Sequence, residues 1–131
     1  MTSIETAIAD LMAAHPTLSS AGLHFRCRDK NWNDQEYLKT CRAEMLTERF
    51  FNEVLLCEDF ITRHGIERGA SSYRMKHLVE DESRTYIHNG AFIVAAIICG
   101  YVPVLHPTPN PSFRKVSKPR AVKATPTEQS Q

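Results

Sequence analysis

Charge of one sign is what this 131-residue sequence most lacks: 16 Lys and Arg stand against 15 Asp and Glu, a formal net charge of +1. That excludes a uniformly basic nucleic-acid binder and a highly acidic nucleic-acid mimic. Glycine is scarce, with 5 residues, which excludes a collagen-like repeat. The 4 Cys form no Cys-x-x-Cys pair. His24 with Cys27, or Cys57 with His64, is half of a metal site at best, so no metal is expected. Long apolar runs are missing as well. The longest, Ala91 to Leu105, contains Gly100 and Pro103, and is too short and too broken to span a membrane. The N-terminus has neither a basic segment nor a long apolar one, so no signal peptide is expected. The expectation is a cytoplasmic chain with reduced cysteines and no membrane partner.

What is present is an ordinary globular composition, 42% hydrophobic and 24% charged, which excludes a wholly disordered chain. The charges are unevenly placed. Residues 1–105 hold 11 basic and 14 acidic residues, whereas 106–131 hold five basic and one acidic. A mildly acidic body therefore carries a basic tail.

Ile4, Ala7, Ile8, Leu11 and Met12 make one helical face over 3–14, and Thr2 with Glu5 fits a capping box. Residues 16–33 read mainly as loop, with one alternating stretch from Gly22 to Arg28 that suits a single short strand. Asn33 with Glu36 is a second capping box, opening a long helix to about His64 that Gly65 ends. That helix carries two apolar stripes: Leu46, Phe50, Val54, Cys57 and Ile61, and, rotated well over a quarter turn, Leu38, Cys41 and Met45. A helix apolar on two sides is central or pairs with a second chain, so a homodimer through 38–61 is a candidate. Its exposed side is acidic, since Glu44, Glu48, Glu53, Glu58 and Asp59 face only Arg49.

Ser71 or Ser72 caps a helix to about Glu80, and Asn89 caps a last one, Gly90 to Cys99, stopped by Gly100 and Pro103. From His106 the Pro-rich composition predicts a disordered tail. The expected fold is mainly α: one domain over 1–105, about four helices around a long central one, and at most one short strand.

The last two helices invite a helix-turn-helix reading. Residues 90–99 are apolar around the whole circumference, however, and a recognition helix must present polar groups to base edges. The expected connection of about nine residues is also too long for that motif. The segment before it is basic: Arg63, His64, Arg68, Arg74, Lys76, His77, Arg84 and His88. With Ser72, and with helix N-termini at Ser72 and Asn89, these residues form a candidate surface for phosphates or for a protein partner. Arg114, Lys115, Lys118 and Arg120 are candidate tail contacts to a polyanion. Lys76-His77 beside Tyr73, with His88 nearby, imitates a nuclease-like site. No paired carboxylates at metal-ligand spacing accompany it, and no catalytic signature is present, so no enzyme and no cofactor are expected.

The stretch Ser71-Ser-Tyr-Arg-Met-Lys-His-Leu-Val-Glu80, followed by Tyr86-Ile-His-Asn-Gly-Ala-Phe-Ile-Val-Ala-Ala-Ile-Ile-Cys-Gly-Tyr101, resembles small uncharacterised proteins of bacterial plasmids, phages and integrative elements. The resemblance covers residues 71–101 and implies a mobile-element context. Two functions follow as expectations. One is a DNA-associated protein of regulation, maintenance or transfer. The other is an inhibitor or adapter bound to a host protein complex, for example an anti-defence protein. The first requires the basic residues of 63–88 to converge on one exposed surface.

Overall fold

A computed structural model describes residues 3–23 and 35–116. Five helices and two small antiparallel sheets make up the described chain. Helix α1 (Ile4–Ala14) begins at Ser3, whose hydroxyl accepts the Thr6 N–H at 3.1 Å, so Ser3 rather than Thr2 is the cap. Strands β1 (Leu18–Ser19) and β2 (Gly22–Leu23) pair as a minimal hairpin. β1 is the second strand that the sequence did not disclose. The rest of the alternating stretch, and Asn33, lie outside the described residues.

The expected long helix is two helices, α2 (Gln35–Glu44) and α3 (Glu48–His64). Thr47 makes the break. Its hydroxyl donates to the Glu44 carbonyl at 2.8 Å and accepts the Phe50 N–H at 3.2 Å, closing one helix and capping the next. The rotation between the apolar stripes follows from this break: Cys41 is buried from α2, Met45 from the break, and Phe50, Val54, Cys57 and Ile61 from α3. Leu46, in the break, is exposed. Arg42 anchors α2 to the end of α1, donating to the carbonyls of Met12, His15, Pro16 and Leu18.

Helix α4 (Ser72–Ser83) is capped by Ser71, which accepts the Arg74 N–H at 3.1 Å, and it runs past the expected end at Glu80. Only residues 84–88 connect it to α5 (Asn89–Ile98), fewer than the nine expected. Helix α5 is the true centre, not the 33–64 segment: every residue from Asn89 to Ala96 is buried. Gly90 permits this. A Cβ there would collide with the Ser19 carbonyl, while its N–H donates to the Ser20 carbonyl at 2.9 Å.

The chain does not leave the fold at Leu105. Strands β3 (Tyr101–Val104) and β4 (Ser112–Lys115) pair antiparallel, with Tyr101 opposite Lys115 and Val104 opposite Ser112. Phe113 packs edge-on against Phe92 of α5 at 5.8 Å between centroids. Pro111 and Pro109 carbonyls accept the N–H groups of Ser72 and Leu23. The tail was therefore expected too early. Pro107, Pro109 and Pro111 shape a loop that locks α4 and β2. No helix among the described residues is long and apolar enough to cross a membrane.

Candidate functional site

An open cleft of about 1080 Å3 lies between α2 and α4, floored by the 84–89 segment and closed at one side by Pro109 and Asn110. One face of α2 supplies Tyr37, Thr40, Cys41 and Glu44, and one face of α4 supplies Tyr73, Lys76, His77 and Glu80. These are i, i+3, i+4, i+7 sets, so each projects as one stripe. Arg84, Tyr86 and His88 come from the connecting segment, and Asn89 from the first residue of α5.

Two carboxylates tie that segment down. Glu53 of α3 is only 1% exposed. It accepts the His88 N–H at 2.8 Å, stands 3.0 and 3.2 Å from His88 Nδ1, and is 3.4 Å from Arg49 Nε. A buried charge persists only when paired in this way, here also near the α5 N-terminus. Glu53 thus faces Nδ1 of the ring, while Nε2 lies 4.0 Å from Glu44 of the cleft. Glu44 accepts the Ser20 hydroxyl at 2.5 Å, so that hydroxyl is committed away from His88.

Glu80 is the second anchor. It accepts the Ile87 N–H at 3.0 Å and pairs with Lys76 Nζ and His77 Nδ1, both at 2.9 Å. Burial pushes the Glu80 carboxyl up, but the Ile87 N–H, Lys76 and His77 outweigh it and hold it below the usual range. Lys76 is buried, with its ammonium 4.6 Å from the Tyr86 ring centroid and 5.6 Å from that of Tyr73. Against Tyr37, the Cys41 hydrogen bond acts first, then the Cys41 charge, burial and the Glu44 charge, all raising the phenol's pKa.

The basic residues read from the sequence do not converge as free cations. Arg63 is paired with Asp59 at 2.9 Å and with Glu82. Arg74 is paired with Glu67 at 2.8 Å. The Arg63 and Arg74 guanidinium groups hold Glu82 and Glu67 below the usual carboxylate range. Lys76, His77 and His88 face Glu80 and Glu53. Arg68 is exposed on the connector before α4, and Arg84 is exposed at the cleft.

Ser72 is buried, its hydroxyl donating to Asn89 Oδ1 at 2.7 Å. Asn89 is not a cap. Its amide nitrogen donates toward the Ala21 and Pro109 carbonyls and Asn110 Oδ1. Backbone donors at the two helix N-termini expected to serve phosphate, at Ser72 and Asn89, are used within the fold: the Ser72 N–H goes to Pro111 and the Gly90 N–H to Ser20. Arg114 and Lys115 are exposed on β4, in a strand rather than a tail. Lys118 and Arg120 lie outside the described residues. Cys57 is buried and its thiol is pushed up by burial, whereas His64 is exposed on Glu82, so they do not face one site.

Sequence reasoning missed Glu53, Glu44, Glu80 and the tyrosines 37 and 86. Glu53 sits between Phe50, Val54 and Cys57 in the apolar stripe, and that position was its one signal. Comparisons with protein families, with curated proteins and with solved structures found no match.

Proposed function

We propose that the protein acts by binding a segment of another protein, of the kind found in host complexes, in the cleft between α2 and α4. The single observation that supports this most is that Arg63, Arg74, Lys76, His77 and His88 sit on carboxylates of the same fold, which leaves Arg68 and Arg84 exposed but apart from them. A polyanion needs unpaired cations whose counterions it can release. In the cleft it would meet Glu44 and Glu80 against Lys76 and Arg84. A protein partner suits mixed charge. It also suits Tyr37, Tyr73 and Tyr86, each about half exposed at the rim, because tyrosines at a partly desolvated pocket are the usual anchors of an interface. Catalysis has less support, since Nε2 of His88 faces a carboxylate and no hydroxyl or thiol among the described residues is bonded to it.

The test is capture with the intact tagged chain, set beside retention on duplex DNA between about 50 and 200 mM salt. The expected result is one stoichiometric protein, lost in the double variant Tyr73→Ala/His77→Ala, with no salt-sensitive DNA retention. Retention on DNA that falls steeply with salt and ignores the rim variant overturns the proposal.

A further inference from the structure

The β3–β4 hairpin has one covered face and one bare face. Successive side chains of a strand point to opposite faces. Tyr101, Pro103 and Phe113 take the inner face, where Tyr101 and Phe113 pack on the core and Phe113 meets Phe92 of α5. Val102 and Val104 take the outer face, in register with Arg114 and Ser112. The pairing runs on by one step, because the Val116 N–H donates to the Gly100 carbonyl at 3.4 Å. Val116 therefore joins the outer face. Val102, Val104 and Val116 are exposed, and so is Leu105, just past β3.

An antiparallel sheet with one face in water alternates apolar and polar residues along each strand. The run Tyr101-Val-Pro-Val-Leu105 does not alternate. Apolar residues on both faces are the pattern of a sheet that is covered on both. Helix α5 lies under one face, and the exposed valines show that no described residue covers the other.

Charge identifies the cover. Arg114 stands among the three valines with Lys115 next to it in the strand; both are exposed, and neither pairs with a carboxylate of the described residues. Such a face is complementary to apolar residues flanked by carboxylates. Residues 24–34, with three Lys and Arg against two Asp, and residues 117–131, with three Lys and Arg against one Glu, are both net basic. Two copies face to face would set one Arg114–Lys115 pair against another, and like charges brought together oppose docking.

We propose that the outer face of β3–β4 docks an acidic amphipathic helix of a partner protein, its apolar stripe on Val102, Val104 and Val116 and a carboxylate on Arg114. A helix is a standard cover for an apolar sheet face. None of these residues lines the α2–α4 cleft, so this surface does not depend on the reading of the cleft.

The test is fluorescence polarisation of the intact chain with three labelled helical peptides about five turns long. One carries leucine along one face and glutamate elsewhere, one replaces the glutamates with lysine, and one replaces the leucines with serine. Only the first is expected to bind saturably. Arg114→Glu weakens it about tenfold and admits the lysine peptide. Val102→Thr, which keeps the β-branched shape, weakens it at an unchanged Tm. Tyr73→Ala/His77→Ala, in the cleft, leaves it unchanged.

Absence of saturable binding by the leucine–glutamate peptide overturns the proposal, as does equal binding of the lysine peptide. Loss in Tyr73→Ala/His77→Ala with none in Arg114→Glu also overturns it and moves the peptide to the cleft. Vesicles of phosphatidylcholine and phosphatidylserine that retain the chain but not its Val102→Thr variant overturn the commitment to a protein. A dimer in light scattering that Val102→Thr dissociates makes a second copy the occupant and overturns it as well.

Discussion

A single carboxylate shows how far burial can depart from residue type. Glu53 reads as one of five acids on an exposed helix face, yet it is buried and accepts both the His88 N–H and its imidazole. Removing one partner of a buried pair leaves the other uncompensated. Glu53→Ala is therefore expected to lower stability by about 3 kcal/mol, measured by urea unfolding, and Glu53→Gln, which keeps an acceptor oxygen, by clearly less. An equal loss in both would mean that the charge, which Gln lacks, carries the whole effect and that the retained acceptor oxygen and packing contribute nothing. Glu80 carries a pH signature. Its carboxyl titrates below its ordinary value of 4.5 in the folded chain. Such a group binds its proton more readily when unfolded, so its stabilisation is complete above the unfolded value and is lost as pH falls through the lower folded one. Glu80→Gln should flatten the decline of stability between about pH 5 and 3, followed by thermal melts across that window. A wild-type and variant decline of equal slope would count against the Lys76, His77 and Ile87 contacts as the cause.

Among the elements, the α2–α3 break is the most informative. The periodicity of 35–64 is helical throughout, and that much was legible. The rotated second stripe was legible too, but one long helix with two apolar sides and two shorter helices in different directions give the same pattern. Thr47 decides between them, and a lone threonine between Leu46 and Glu48 is a weak signal until its hydroxyl is seen on Glu44 and Phe50. Thr47→Ala is expected to cost about 1 kcal/mol in chemical denaturation, with α-helical content nearly unchanged by circular dichroism. Helix α5 was legible as a core helix because its apolar residues leave no polar side. Its crowding was not, because it depends on β1 crossing at Gly90. Gly90→Ala would force the added methyl against the Ser19 carbonyl, at an expected loss of about 3 kcal/mol. A Tm within a degree of wild type would show that β1 can simply move aside.

At the level of the whole molecule, the near-zero net charge now has a spatial meaning. Opposite charges are not segregated into an acidic helix and a basic face. Arg63 sits on Glu82 of another helix, Arg74 on Glu67 of the connector, and Lys76 and His77 on Glu80 one turn along α4, pairings that a linear charge count does not display. The cleft was illegible for the same reason: its walls lie some forty residues apart in sequence, and only the fold sets Tyr37 and Glu44 opposite Tyr73 and Glu80. The C-terminal boundary follows this logic. Proline-rich composition placed the end of the domain at Leu105, but composition does not report long-range acceptors. The 106–116 segment supplies the β4 partner of β3, the Phe113 ring against Phe92, and the carbonyls of Pro109 and Pro111 that satisfy Leu23 and Ser72. A chain ending at Leu105 would expose the Phe92 side of the core and leave two N–H groups and an amide side chain short of partners. Each such buried donor costs about 1–3 kcal/mol, and the sum is comparable with the whole stability of a small domain. The expected outcome is that a 1–105 chain loses its cooperative thermal transition, whereas Phe113→Leu in the full chain keeps a sharp transition at a lower Tm. A 1–105 chain that melts cooperatively near the Tm of the full protein would show that the hairpin is an accessory, and that the cleft is closed without it.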